Sequence, residues 1–180
     1  MSASRARMTL LLGGVRSGKS ARAVALAAGG GARVLFVATA GLHDDDMRSR
    51  AERHRAERPA AWETLEETIE LARGLAARAG RYDVIVIDCL TLWVSNIMLA
   101  QEPWADERQV GAHVRALLDV HSLDSAHWIV VSNEVGLGIV PETPLGRAYR
   151  DALGRANQLV AAAADRVDFM VAGLELRLKG

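Results

Sequence analysis

Residues 13–20, Gly13-Gly14-Val15-Arg16-Ser17-Gly18-Lys19-Ser20, carry the spacing G-x-x-x-x-G-K-[ST]. The glycines allow a tight loop whose backbone N–H groups turn inward toward phosphate oxygens, and a helix opening at Lys19 adds the partial positive charge of its N-terminus. Lys19 is then placed to reach the β and γ phosphates of a nucleoside triphosphate, and the Ser20 hydroxyl to bind Mg2+. With this chain's own frequencies of Gly, Lys and Ser/Thr, a chance match is on the order of one in a thousand. Of the 22 basic residues only Lys19 and Lys179 are lysine, which gives a lysine inside a motif extra weight.

A metal–nucleotide site also needs a carboxylate at the end of a neighbouring parallel strand. Asp88 closes the run VIVID and is the candidate for holding the metal or its water. The competing reading makes it a cap for the helix that starts at Leu90-Thr91. Cys89 beside it reads as a small buried hydrophobe. A third centre is His54, in the basic run RSRAERHRAERP. Taken by itself, a histidine in such a run is a solvated residue among salt-bridged arginines.

The elements that must position these groups alternate along the chain. Apolar, β-branched runs at 8–12, 33–39, 82–90, 127–133 and 167–173 read as buried strands, with 61–66 as a shorter one and 174–179 following the last across Gly173. Helices are expected over 19–28, the charged 44–57, 70–79, 91–100, 106–121 and about 145–164. Two glycines and two prolines in 134–144 exclude a regular element there. Strands separated by helices predict an α/β fold: a mostly parallel central sheet with helices on both faces and an antiparallel C-terminal strand pair.

The 180 residues suit one domain, expected over 8–180 behind a loose, polar tail at 1–7. One cysteine excludes an internal disulfide, no Cys/His cluster has zinc spacing, and a reducing cytoplasm suits the chain. No apolar run approaches the roughly 20 residues that span a bilayer, so no integral membrane segment is expected. Lys plus Arg balances Asp plus Glu at 22 each, which gives no overall field to attract nucleic acid.

Four segments together carry a family likeness: GGVRSGKS at 13–20; the series Asp46-Met47, His54-Arg55, Arg58-Pro59, Trp62, Thr64 and Glu66; DCLTLWVSN at 88–96; and SNEVGLGIVPETPLGRAYRDALGRANQ at 132–158. On these the chain resembles, nearly end to end, the bifunctional adenosylcobinamide kinases and adenosylcobinamide-phosphate guanylyltransferases of cobalamin biosynthesis. The resemblance implies a P-loop NTPase fold of the RecA-like type and two reactions. ATP or GTP phosphorylates the aminopropanol hydroxyl of adenosylcobinamide. GTP then gives GMP to that phosphate, by way of a covalent GMP–histidine at His54, with release of pyrophosphate.

Imidazole suits that role, because a neutral ring nitrogen attacks phosphorus at pH 7 without first losing a proton. Arg50, Arg55 and Arg58 could stabilise charge on the phosphate oxygens. The same resemblance puts nucleotide contacts on Ala38, Thr39, Ala40, Arg55, Ala56, Glu57, Arg58, Glu66 and Asp88, in addition to the loop at 13–20. It also implies a homotrimer. Glu66 is the candidate reader of guanine, its carboxylate accepting from N1–H and the N2 amino group. The loop at 134–144 follows a buried strand and is positioned to close over the corrinoid. Asn157 and Gln158 read as buried structural hydrogen-bonding groups. Two other readings stay open: a small-molecule kinase with an inert His54, and a nucleotide-dependent switch, against which stands the lack of an N-K-x-D guanine signature.

Overall fold

The computed structural model describes residues 7–41 and 58–180. Its elements follow the order β1 (Arg7–Gly13), α1 (Lys19–Ala28), β2 (Val34–Ala38), β3 (Glu63–Glu66), α2 (Leu71–Ala76), β4 (Val84–Asp88), α3 (Leu90–Leu99), α4 (Glu107–Leu123), β5 (His127–Asn133), α5 (Pro144–Ala163), β6 (Arg166–Val171) and β7 (Leu174–Lys179). The charged helix expected at 44–57, and with it His54, Arg55, Ala56 and Glu57, lies outside the described residues. β1 begins at Arg7, one residue inside the segment expected as a tail, because Arg7 pairs with His127. α2 is shorter than the stretch expected at 70–79 and ends at Ala76.

The strands form one sheet in the order β3-β2-β4-β5-β1-β6-β7, parallel throughout except for the antiparallel pair β6–β7. Parallel strands covered on both faces must be apolar on both, which is why VLFVA and VIVID are near-continuous hydrophobic runs. α1 covers one face. Its small Ala23 and Ala27 lie close over Leu11, Phe36, Val86 and Ile129. α2, α3, α4 and α5 cover the other, against Leu10, Val37, Ile87, Trp128 and Val130. Trp93 and Trp128 are fully buried in that larger core, Trp62 packs on the α1 side, and Trp104 is 40% exposed.

Helix starts follow their local chemistry. Asp106 and Gln109 form a reciprocal capping box at α4, and Thr143 caps α5 ahead of Pro144. At the other end of the sheet, the two-residue turn of the β6–β7 hairpin places Ala172 and Gly173 at φ 50° and 82°, the left-handed region that glycine tolerates best. The hairpin is braced by Asp168, fully buried, which accepts from Arg166 at 2.6 Å and Arg177 at 2.7 Å. Glu175 accepts from Arg166 and from Arg22 of α1, so the hairpin is tied to the helix that follows the Gly-rich loop.

Candidate active site

All parallel strands point their carboxyl ends to one edge, where the strands carrying Gly13, Ala38, Glu66 and Asp88 end. β1 ends at Gly13 and the loop turns into α1 with Arg16 at φ 57° and Gly18 at φ 97°. A side chain at Gly18 would meet Gly173, and one at Gly13 would run into the Met170 carbonyl. The Gly173 N–H also donates to the Ser17 carbonyl at 3.0 Å. The phosphate-type loop is thus backed by the β6–β7 turn, 155 residues further along the chain from Gly18, and both glycines are required by close approach as well as by conformation.

Lys19 is buried, with its Nζ donating to the carbonyls of Gly13 at 2.9 Å and Gly14 at 2.6 Å and to Ser17 Oγ at 3.4 Å. Burial lowers its pKa below the usual lysine value, while the nearby Cys89 and Asp88 act in the opposite direction. The ammonium is therefore fixed in place by the loop and electrostatically in reach of Asp88. Ser20 is half-buried on the first turn of α1.

Asp88 ends β4, but β4 is not the neighbour of β1: β5 lies between them. The expectation of an adjacent strand is corrected, since β5 supplies Asn133 as the residue beside Gly13 and leaves Asp88 two strand spacings, about 10 Å, from the end of β1. The N-cap position of the next helix, α3, falls on Cys89. From the carboxyl end of β4, Asp88 acts to raise the pKa of Lys19. Cys89 is a small partly buried group as expected, its thiol pushed up to about 11, first by burial and then by Asp88.

Ala38 and Thr39 end β2, next to Asp88. Thr39 is fully buried and its hydroxyl is engaged twice, donating to the Cys89 carbonyl at 2.7 Å and accepting from the Cys89 N–H at 2.8 Å. The residue joins the ends of β2 and β4, and its N–H donates to the Asp88 carbonyl at 3.2 Å. Glu66 ends the edge strand β3, exposed and in register with Ala38. It stands four strand spacings, about 19 Å, from the end of β1. The Arg58 guanidinium lies 3.3 Å from the centre of the Phe36 ring, a cation–π contact that anchors the entry to β3 against β2.

Several residues that position this edge carried no recognisable sequence signal. Asn96, one polar residue in the apolar helix LTLWVSNIML, donates to the carbonyls of Thr39 and Thr68 and joins the loops after β2 and β3. Thr91 accepts from the Asn133 N–H. Asn157 accepts from the Ser132 hydroxyl and donates to the Asn133 carbonyl, the structural role expected of it, whereas its expected companion Gln158 is exposed and accepts from Arg155. Glu134 then donates its N–H to the Gly13 carbonyl. Arg150 pairs with Asp151 at 3.3 Å.

Among the described residues no group of three or more His, Cys, Asp or Glu could hold a metal ion. One hydroxyl and one carboxylate, Ser20 and Asp88, are a donor set that suits Mg2+, which keeps waters and takes phosphate oxygens as its remaining ligands. The edge as a whole can bind a triphosphate and stabilise charge on it.

A family model described as cobinamide kinase / cobinamide phosphate guanyltransferase matches residues 9–178. The bifunctional adenosylcobalamin biosynthesis protein CobP of Pseudomonas aeruginosa is 44% identical over 171 residues, 95% of this chain and 96% of that one. The bifunctional adenosylcobalamin biosynthesis protein CobU of Salmonella typhimurium is 39% identical over 181 residues, 96% of this chain and 99% of that one. Among solved structures, the RadB recombinase aligns with TM-score 0.53 at 14% identity, over 92% of this chain and 74% of that one. A KaiC-like protein of Pyrococcus horikoshii aligns with TM-score 0.51 at 18% identity, over 92% and 71%. These two likenesses are of fold alone, and the fold is that of the RecA-like P-loop NTPases.

Proposed function

The chain belongs to the cobinamide kinase / cobinamide phosphate guanyltransferase family, and on that premise we propose how its residues divide the two activities. It is a bifunctional enzyme of adenosylcobalamin biosynthesis. In the kinase reaction the loop 13–20 binds the phosphates of ATP or GTP, and Lys19 stabilises charge on the β and γ phosphates. The hydroxyl of adenosylcobinamide attacks the γ-phosphorus, the bond from that phosphorus to the β–γ bridging oxygen breaks, and the nucleoside diphosphate leaves as the hydroxyl proton is released. Ser20 and Asp88 would hold Mg2+, whose contribution is to neutralise developing charge on the phosphates. The observation that carries this part is the buried Lys19 ammonium, fixed by Gly13, Gly14 and Ser17 and in electrostatic contact with Asp88.

In the guanylyltransferase reaction a nitrogen of His54 attacks the α-phosphorus of GTP and pyrophosphate departs. An oxygen of adenosylcobinamide phosphate then attacks the same phosphorus, frees the imidazole and gives adenosyl-GDP-cobinamide. Ala38, Thr39, Ala40, Arg55, Ala56, Glu57, Arg58, Glu66 and Asp88 line the nucleotide in this reading, and Glu66 accepts from guanine. The test is incubation with GTP labelled at the α-phosphate and no acceptor. An acid-labile, alkali-stable label on the protein, absent from His54→Ala, is expected. An unlabelled wild-type chain that still phosphorylates adenosylcobinamide would reduce the protein to a kinase.

The same reading makes the protein a cytoplasmic homotrimer. The edge of the sheet supports self-association: among the described residues β7 is the last strand and exposes Leu174, Leu176 and Leu178. Light scattering should return the mass of three chains, and a monomer at micromolar concentration would discard the assembly.

A further inference from the structure

The loop between β5 and α5 is held firmly at both ends and yet presents large apolar side chains to water. At its start Glu134 N–H donates to the Gly13 carbonyl at 3.2 Å, the Glu134 carboxylate accepts from Gly136 N–H at 2.6 Å, and Val135 packs on the core. At its end Arg147 donates to the carbonyls of Pro141 and Glu142 at 3.0 and 2.7 Å, and Thr143 caps α5. Between these anchors Leu137 is 81% exposed, Ile139 96% and Val140 58%. A floppy loop could turn such residues inward; one pinned by its backbone at each end keeps them out, and a cluster of this kind marks a surface that something apolar covers.

Two further features give the surface its shape. Beside the end of the loop lies a shallow groove between α3 and the start of α5, with Met98, Leu99, Leu145 and Tyr149 among its walls. Its cavity volume of about 260 Å³ is below the range of about 300–1,000 Å³ typical of pockets that enclose a drug-sized ligand. It can therefore take only the rim of a larger molecule lying across the loop. The other feature is position: the loop starts at Glu134, which is hydrogen-bonded to Gly13 at the start of the phosphate-binding turn.

We infer that Leu137, Ile139 and Val140, continued by the groove between α3 and α5, are the platform on which the corrin macrocycle of the acceptor lies, with its pendant hydroxyl directed along the Glu134–Gly13 contact to the phosphates. The inference rests on the kinase reading given above and names the part of the chain that recognises its second substrate. A corrin rim carries methyl groups and amide arms. The platform offers aliphatic side chains for the former and the carbonyls of the exposed Gly136 and Gly138 for the latter. No charge match is needed, and none of the three platform side chains is charged.

The test is equilibrium dialysis of cobinamide, followed by its visible absorbance, against the wild-type chain, the double variant Leu137→Ser/Ile139→Ser, the groove variant Leu99→Ser, and the control Leu123→Ser at the far end of α4. All four positions are exposed, so no core contact is lost, and GTP affinity measured in parallel reports the fold. Covering two aliphatic side chains predicts a rise in the cobinamide dissociation constant of about tenfold to a hundredfold in the double variant. A smaller rise is expected for Leu99→Ser, none for Leu123→Ser, and GTP binding should be unchanged throughout. Wild-type and double variant binding cobinamide within twofold of each other would overturn the platform while leaving the kinase reading intact. A wild-type chain that binds GTP but no cobinamide would overturn both.

Discussion

Asn157 links the long helix α5 to the strand end beside the phosphate loop, and its removal has a calculable cost. The side chain is 5% exposed and the Ser132 it faces is fully buried. Ser132 Oγ donates to Asn157 Oδ1 at 2.6 Å, and Asn157 Nδ2 donates to the Asn133 carbonyl at 3.0 Å. Asn157→Ala leaves one donor and one acceptor without partners in a site too tight for easy rearrangement, at about 1–3 kcal/mol for each such group. A total of about 2–6 kcal/mol is a large share of the roughly 5–15 kcal/mol that holds a domain together. For a chain of this size it corresponds to a fall in Tm of roughly 4–24 °C. Calorimetry of the wild type, Asn157→Ala, Ser132→Ala and the double variant reads both the size and the coupling. Ser132→Ala also strips a partner from Asn157, so the double variant should lose less than the sum of the singles, by about 1 kcal/mol. Additive losses, or a fall of under 2 °C for Asn157→Ala, would refute the account. Because Asn133 is followed by the Glu134–Gly13 hydrogen bond, GTP affinity should weaken several-fold as well.

Two further outcomes follow from the same edge of the sheet. Cys89, pushed up from 9.0 to about 11, should react slowly with a thiol reagent at pH 8 in the native chain and rapidly once unfolded. Its native pKa is the higher one, so the folded state binds more protons than the unfolded state between those values; the stability it contributes is complete below about pH 9 and lost as pH rises toward 11. A denaturation series across that range in wild type and Cys89→Ala checks the sign, and a Cys89-dependent gain of stability with pH would reverse the argument. For Glu66→Gln, the loss of a carboxylate facing the N1–H and N2 amino group of guanine should narrow the preference for GTP over ATP as the guanylyl donor by about tenfold. An unchanged ratio would remove Glu66 from base recognition.

Much of the site was legible before any coordinate because its chemistry is local. Eight contiguous residues between a strand and a helix specify a phosphate loop, since the backbone N–H groups and the helix N-terminus that bind phosphate belong to that same stretch. The apolar runs ending at Ala38, Asp88 and Asn133 were likewise readable, because a strand buried on both faces must be hydrophobic at every position. Asn96, Thr91 and Ser132 were not, because one polar residue in an apolar segment has the same sequence appearance whether it bridges two loops or merely satisfies itself.

The sequence by itself therefore determined the class of fold and the strand, Gly-rich turn and helix around residues 13–20, all properties of short segments and their periodicity. Only the tertiary structure decided that β5 stands between β1 and β4, that the turn at Ala172-Gly173 backs Gly18 and Ser17, and that Thr39 joins two strand ends. It also decided that Leu137, Ile139 and Val140 face water while Val135, two residues before Leu137, packs inward. The physical reason is common to all four. Strand order and loop direction are set by contacts between residues scores of positions apart, whose energies depend on which surfaces meet, and no local pattern along the chain records that choice.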